Sequence, residues 1–286
     1  MHRDNKIFKL CRVHNLEDYL TAVNNGVNMI GIHAVYTDFD AYRAAEEIYN
    51  PIERPIIRTH KNLPIADYEV DAISYLADNV DGQIPIALVL EKDLSCEGIA
   101  ECLRLYNLSD KNPLLQLQYR INNERFLEIT RTLSKKMICT IGLNQEDFDE
   151  YFAFLNRVLD PDNDFILIDF SKHQPDYLTK KMGISSETKM NVLMKRVKCL
   201  KKSSIPLLIA DDTTVEKMAK YIRYLSINDI ELAGIDMQNS VEQSKEAQCY
   251  TLSDVCGKRE FQIKVRKSDE KLRPWRDFVS QNFYLS

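Results

Sequence analysis

The chain has 286 residues, 44% hydrophobic and 28% charged, and its 38 Lys and Arg against 43 Asp and Glu leave a net charge of −5. This composition suits a soluble globular protein with room for one large domain or two small ones, and the negative balance argues against a general nucleic-acid surface. No apolar run approaches the roughly 20 residues that span a bilayer, and Met1–Lys6 leads into a strand without an apolar signal core, so a cytoplasmic protein with no membrane contact is expected.

Apolar strand-like runs alternate with amphipathic helical stretches along the chain. Ile7–Cys11 reads as a strand. Asn15 is a good N-cap, with Asp18 three residues on, for a helix that places Leu16, Leu20 and Val23 on one face and stops at Gly26. Asn28–His33 is a second strand and Asp40–Tyr49 a helix. Further strand–helix units follow: Ile84–Leu90 with Glu97–Tyr106, Leu114–Gln118 with Asn122–Leu133, Met137–Leu143 with Gln145–Leu159, and Phe165–Asp169 with Thr188–Leu200. Pro206–Ala210 with Thr213–Leu225 and then Ile230–Asp236 complete the series. In the helix over 213–225, Val215, Met218, Ala219, Ile222 and Leu225 recur with the spacing of a core face. The strands are near-continuous apolar runs, as expected when helices cover both faces of a parallel sheet. Eight such strands with intervening helices predict an α/β fold, a closed (βα)8 barrel.

Two segments exceed a minimal barrel. Residues 50–83, with Pro51, Arg54-Pro55 and Pro64, insert after the second helix, and Ala66–Ala77 reads as an extra helix within them. The barrel is placed at 1–246 and a C-terminal extension at 247–286. That extension carries eight Lys and Arg against five Asp and Glu, net +3, leaving −8 on the body. Phe261–Lys267 alternates apolar and basic residues like an added edge strand. Trp275 is expected to pack the tail on the barrel, with a protein-binding arm as the alternative.

Seven cysteines without a Cys-x-x-Cys pair, mostly in apolar contexts, suit reduced buried thiols. With five scattered histidines no metal site is expected, and no cofactor is implied. Glycine numbers only 8, well below the usual ~7%. Loops that cradle phosphate need glycine, so this scarcity bears on function.

The order of Lys9-Leu-Cys11, a capped helix, a glycine stop and a second buried strand resembles the opening of phosphoribosylanthranilate isomerase, the (βα)8 enzyme of tryptophan biosynthesis. Its Lys-Ile-Cys-Gly carries the catalytic base; here Arg12 takes the glycine's place. Phe165-Ile-Leu-Ile-Asp169 is similar to that family's sixth strand, which ends in the general acid. Gly234-Ile-Asp236-Met-Gln-Asn-Ser240-Val-Glu242 is similar to its eighth strand. The resemblance covers about 6–245 and implies an Amadori-type aldose–ketose isomerisation. Cys11 would take the C2 proton, and Asp169 would act as the acid that opens the sugar ring. A free thiol near pKa 8.5 needs a positive neighbour to act as a base, and Lys9 on the same strand face or the adjacent Arg12 can supply one.

The binding shell departs from the family. Where a Gly-Gly is expected after strand seven stand Asp211 and Asp212, which repel phosphate; Ser240 replaces a glycine after strand eight, and the strand-six loop keeps only Gly183. Gln118 stands where the family has histidine and Cys139 where it has lysine, and Asp38 and Asp40 occupy the neighbourhood of its substrate-binding arginine. Three lost bonds to a charged group, at roughly 1.5–3 kcal/mol each, amount to about 4–9 kcal/mol. Lys172 with His173, Lys180 and Lys181, or Arg54, Arg58, His60 and Lys61 in the insertion, are the available replacement anchors.

The candidate site is therefore Cys11 and Asp169 for chemistry, with Lys9, Arg12, Gln118, Lys172, Gly183, Asp211, Asp236 and Ser240 around a small sugar-like substrate. Asp211-Asp212 also reads as the N-cap pair of the helix that follows. Two functions follow: a divergent isomerase with an altered substrate, or a catalytically inactive barrel used as a binding scaffold. The scaffold reading expects a mouth plugged by Tyr36, Tyr119, Phe170 or Met237.

Overall fold

The computed structural model describes residues 6–13, 15–34, 57–59, 63–65, 67–80, 82, 84–91, 93–170, 186–211, 213–237, 241–254 and 257–283. The apolar runs become β1 (Ile7–Cys11), β2 (Met29–His33), β5 (Ile86–Leu90), β6 (Leu114–Leu117), β7 (Met137–Gly142), β8 (Phe165–Asp169), β9 (Leu207–Ala210) and β10 (Leu232–Met237). Each pairs in parallel with its neighbours, and β10 returns to β1, closing the barrel. Closure brings two backbones together at Gly234, where an added Cβ would lie 2.0 Å from the Ile7 carbonyl oxygen. Only glycine fits that crossing.

Helices alternate with these strands: α1 (Leu16–Asn24), α2 (Asp67–Asn79), α3 (Cys96–Leu105), α4 (Asn123–Leu133), α5 (Phe148–Val158), α6 (Ser186–Leu200), α7 (Val215–Ile227) and α8 (Asp269–Phe283). Local capping sets several starts, since Asn15, Ser95 and Asn122 each accept from the backbone N–H three residues on. On α7, Met218, Tyr221 and Leu225 are fully buried, with Val215, Ala219 and Ile222 packed against the same core. No helix among the described residues is long and apolar enough to cross a membrane.

Two expectations change. The helix read as an extra element of the insertion is α2; it packs on α1 in the outer ring and leads into β5. It follows a short hairpin, β3 (Ile57–Thr59) with β4 (Leu63–Ile65). The helix expected at Asp40–Tyr49 lies outside the described residues.

The second change concerns the tail. Residues 261–267 are a strand, but within a separate antiparallel pair, β11 (Glu242–Asp254) with β12 (Gly257–Lys267). A closed barrel offers no edge to extend, so the tail strand pairs with its own neighbour. The C-terminal segment packs on the barrel, as expected of Trp275. Helix α8 packs against α1 and α7, and its Leu272, Trp275, Phe278 and Val279 are buried in the same core as the barrel helices. It is the outer-ring helix that follows β10, set apart in sequence by the β11–β12 hairpin. Asn25 Nδ2 donates to Asp269 Oδ1 at 2.8 Å and the Lys267 backbone N–H to Asp18 Oδ1 at 3.0 Å, fastening this segment to α1.

Candidate functional site

The two-residue repeat of a strand sends alternate side chains into the barrel. Ile7, Met29, Ala87, Leu114, Ile138, Leu167 and Leu208 form an apolar plug inside it. Two positions further along each strand, the interior residues are Lys9, Gly31, Val89, Gln116, Thr140, Asp169 and Ala210, joined by Asp236 opposite Lys9 on β10. Barrel interiors are normally filled by branched apolar residues. This layer is polar, and it lies toward the strand C-termini, where barrel sites form.

Two of its groups, Lys9 and Asp236, converge with Cys11 one pleat repeat further along β1. The Lys9 ammonium donates to Cys11 Sγ at 2.6 Å and to Asp236 Oδ2 at 2.8 Å, and the Cys11 thiol faces the same Oδ2 at 3.5 Å. Lys9 is 0% exposed, Cys11 3% and Asp236 6%. Register explains the meeting, because Lys9 is paired with Asp236 across the β1–β10 seam and Cys11 is one pleat repeat further along. Gly31 makes the room: a Cβ there would lie 2.6 Å from Cys11 Sγ and 2.9 Å from Lys9 Nζ.

Burial opposes the charge on Lys9, but Asp236 and Cys11 outweigh it, so its pKa is raised and it stays an ammonium. Burial, then the negative charge of Asp236, push the Cys11 thiol up to about 12 against the pull of Lys9. The positive neighbour expected for Cys11 is thus present, and it is Lys9. It does not produce a resting thiolate, because burial and then the negative charge of Asp236 hold the proton on the sulfur. Arg12 is exposed and carries φ +58°, so a left-handed turn stands at this position without glycine.

A second polar pair lies beside the cluster. His33 Nδ1 is 3.1 Å from Glu91 Oε1, and burial holds the imidazole below its ordinary pKa although Glu91 raises it. The sequence reading missed this pair, along with Gln116 and Thr140. The signal was strand parity: His33 alternates inward with Met29 and Gly31.

The other expected residues are placed as follows. Asp169 ends β8 in the polar layer, three strands round from β1, with Gly142 and Ala210 as register partners. Gln118 is partly buried just past β6, its N–H donating to the Leu90 carbonyl at 2.9 Å. Asp211 is buried and ion-paired with Lys189 of α6, while the N-cap of α7 is Thr214, so Asp211 does not take the expected cap position. Lys172, Gly183, Ser240 and Asp212 lie outside the described residues, as do His173, Lys180, Lys181 and Tyr36. Phe170 packs on Tyr221 of α7 with ring centroids 4.7 Å apart, and Met237 belongs to the core between strands and helices, so neither plugs the mouth. Among the described residues no group of three or more His, Cys, Asp or Glu side chains is arranged to hold a metal ion.

No family model matches the sequence, and no curated protein matches it. Solved structures similar to the chain include the tryptophan synthase alpha subunit of Legionella pneumophila str. Paris, at 11% identity and TM-score 0.47, over 82% of this chain and 80% of that one. The tryptophan synthase alpha subunit of Campylobacter jejuni is similar at 9% identity and TM-score 0.48, over 82% and 88%. A putative phosphonomutase from Burkholderia cenocepacia J2315 is similar at 9% and 0.45, over 82% and 89%. Likeness at this level says nothing about the site; the (βα)8 fold rests on the strand pairing above.

Proposed function

We propose that the chain is an isomerase that moves a proton between adjacent carbons of a sugar-like substrate, an aldose–ketose or Amadori-type rearrangement, in the barrel mouth. The observation that carries this reading is the buried Lys9–Cys11–Asp236 cluster. Replacing buried ion pairs with packed apolar groups is often neutral or stabilising, by about 1–4 kcal/mol. A barrel core therefore has no structural need of this cluster, and perturbed titrating groups gathered in a cleft point to chemistry.

In this reading Cys11 takes the C2 proton, and Asp169, on the inward parity of β8, protonates the ring oxygen. At rest the thiol is protonated, so turnover depends on Asp236. Its Oδ2 serves Lys9 and Cys11, while Oδ1 has no hydrogen-bond partner among the described residues. A substrate hydroxyl donating to Oδ1 draws charge from the carboxylate, weakens one of the two influences that hold the proton on the thiol and so lowers its pKa. Substrate then activates its own base. The raised resting thiol favours one other reading, a barrel that binds ligand without turnover.

Deuterium uptake from D2O, at C1 of the ketose formed or at C2 of recovered aldose, followed by NMR over a panel of aminoaldoses and aldoses with and without a terminal phosphate, separates the two. An isomerase incorporates deuterium, and Cys11→Ser and Asp169→Asn each reduce the rate roughly 10²–10⁴-fold while remaining folded. Undiminished rates in both variants reject the assigned roles, and no uptake from any compound leaves the binding-only barrel.

A further inference from the structure

Four buried polar atoms of the interior layer have no hydrogen-bond partner among the described residues: both amide atoms of Gln116, Thr140 Oγ1 and Asp236 Oδ1. Gln116 is 0% exposed and Thr140 3%. A buried donor or acceptor left unmade is costly, and native interiors satisfy nearly all of them. All three side chains are on the inward parity of their strands, directly above the apolar plug. We infer that Gln116, Thr140 and Asp236 form the floor of a binding site for a small, uncharged, hydroxyl-rich molecule.

The chemistry of the three groups selects that class. Gln116 offers an acceptor and two N–H donors, Thr140 a hydroxyl that does both, and Asp236 Oδ1 only accepts. Vicinal hydroxyls, which both donate and accept, match this set. The charges select against an anion, because Lys9 is already neutralised by its 2.8 Å contact with Asp236. A phosphate on this floor would meet the Asp236 carboxylate with its ammonium partner already committed. In substrate terms, resting on the isomerase reading, the molecule's sugar portion enters this layer and any charged group stays outside it.

The test measures binding rather than turnover, so it succeeds or fails independently of isomerase activity. D-ribose, D-xylose, D-glucose and myo-inositol are titrated into the full chain by calorimetry, with ribose 5-phosphate as the charged counterpart. At least one neutral compound binds saturably, with the phosphate ester roughly tenfold weaker, and the near-isosteric Gln116→Met and Thr140→Val each weaken binding by roughly tenfold. The inference is overturned if none of the four neutral compounds binds, if the variants bind them equally, or if only the phosphate ester binds.

Discussion

Cys11 is a buried thiol whose surroundings favour the protonated form. Two of the three influences on its thiol, burial and Asp236, favour the proton, and Lys9 alone opposes them. Removing the negative charge therefore has a predictable sign. Asp236→Asn lowers the Cys11 pKa from about 12, which a pH titration of thiolate absorbance reads as the difference between this variant and the same variant carrying Cys11→Ser. An unchanged or higher value would mean that Asp236 is not what holds the proton. The linkage follows: a raised thiol pKa contributes stability that is complete below the ordinary 9.0 and is lost as pH climbs toward about 12. Each of these residues is legible in sequence, Lys9 and Cys11 from one strand and Asp236 from another. Their convergence is not, because it depends on the β1–β10 register. Gln116 and Thr140 were hidden for a related reason: within Leu-Leu-Gln-Leu and Met-Ile-Cys-Thr-Ile they interrupt apolar runs that otherwise read as uniformly buried.

At the level of elements, strands carried the clearest signal, since runs such as Ile86–Leu90 and Met137–Gly142 are buried throughout and leave little choice of conformation. Helices α2 and α8 were recognised less well, as segments outside the barrel, because each is separated from its strand by a long connection. Their apolar faces show where they belong only once the barrel surface exists: Ile73, Leu76 and Ala77 on α2 and Leu272, Trp275 and Val279 on α8 enter the common core. Strand β2 illustrates how an element serves the site. Gly31 places no side chain where β1 projects Lys9 and Cys11, so Gly31→Ala forces a Cβ to 2.6 Å from Sγ. It is expected to cost about 1–3 kcal/mol by urea denaturation. Part of that cost is recovered when Cys11→Ala is added; strict additivity of the two changes would contradict the packing described.

On the scale of the whole molecule, an apolar plug closes one level of the barrel interior, a polar layer stands above it, and an outer ring of helices seals the wall. The ring is completed by residues that follow the last barrel strand by some distance in sequence. Trp275, 3% exposed, meets Phe278 edge-on and packs where α8 adjoins α1 and α7. Trp275→Ala is expected to lose about 3–5 kcal/mol of global stability. A loss confined to the tail, with the barrel's unfolding transition unmoved, would show the 247–286 segment to be an appendage after all. The proposed function is testable, because it gives proton transfer to a cluster that the fold does not need. Deuterium incorporation from D2O, at C1 of the ketose formed or at C2 of recovered aldose, measured for wild type and Cys11→Ser side by side, addresses that claim most directly. The account predicts exchange with at least one sugar-like compound that falls roughly 10²–10⁴-fold in the serine variant. Exchange that proceeds equally in both proteins would contradict it.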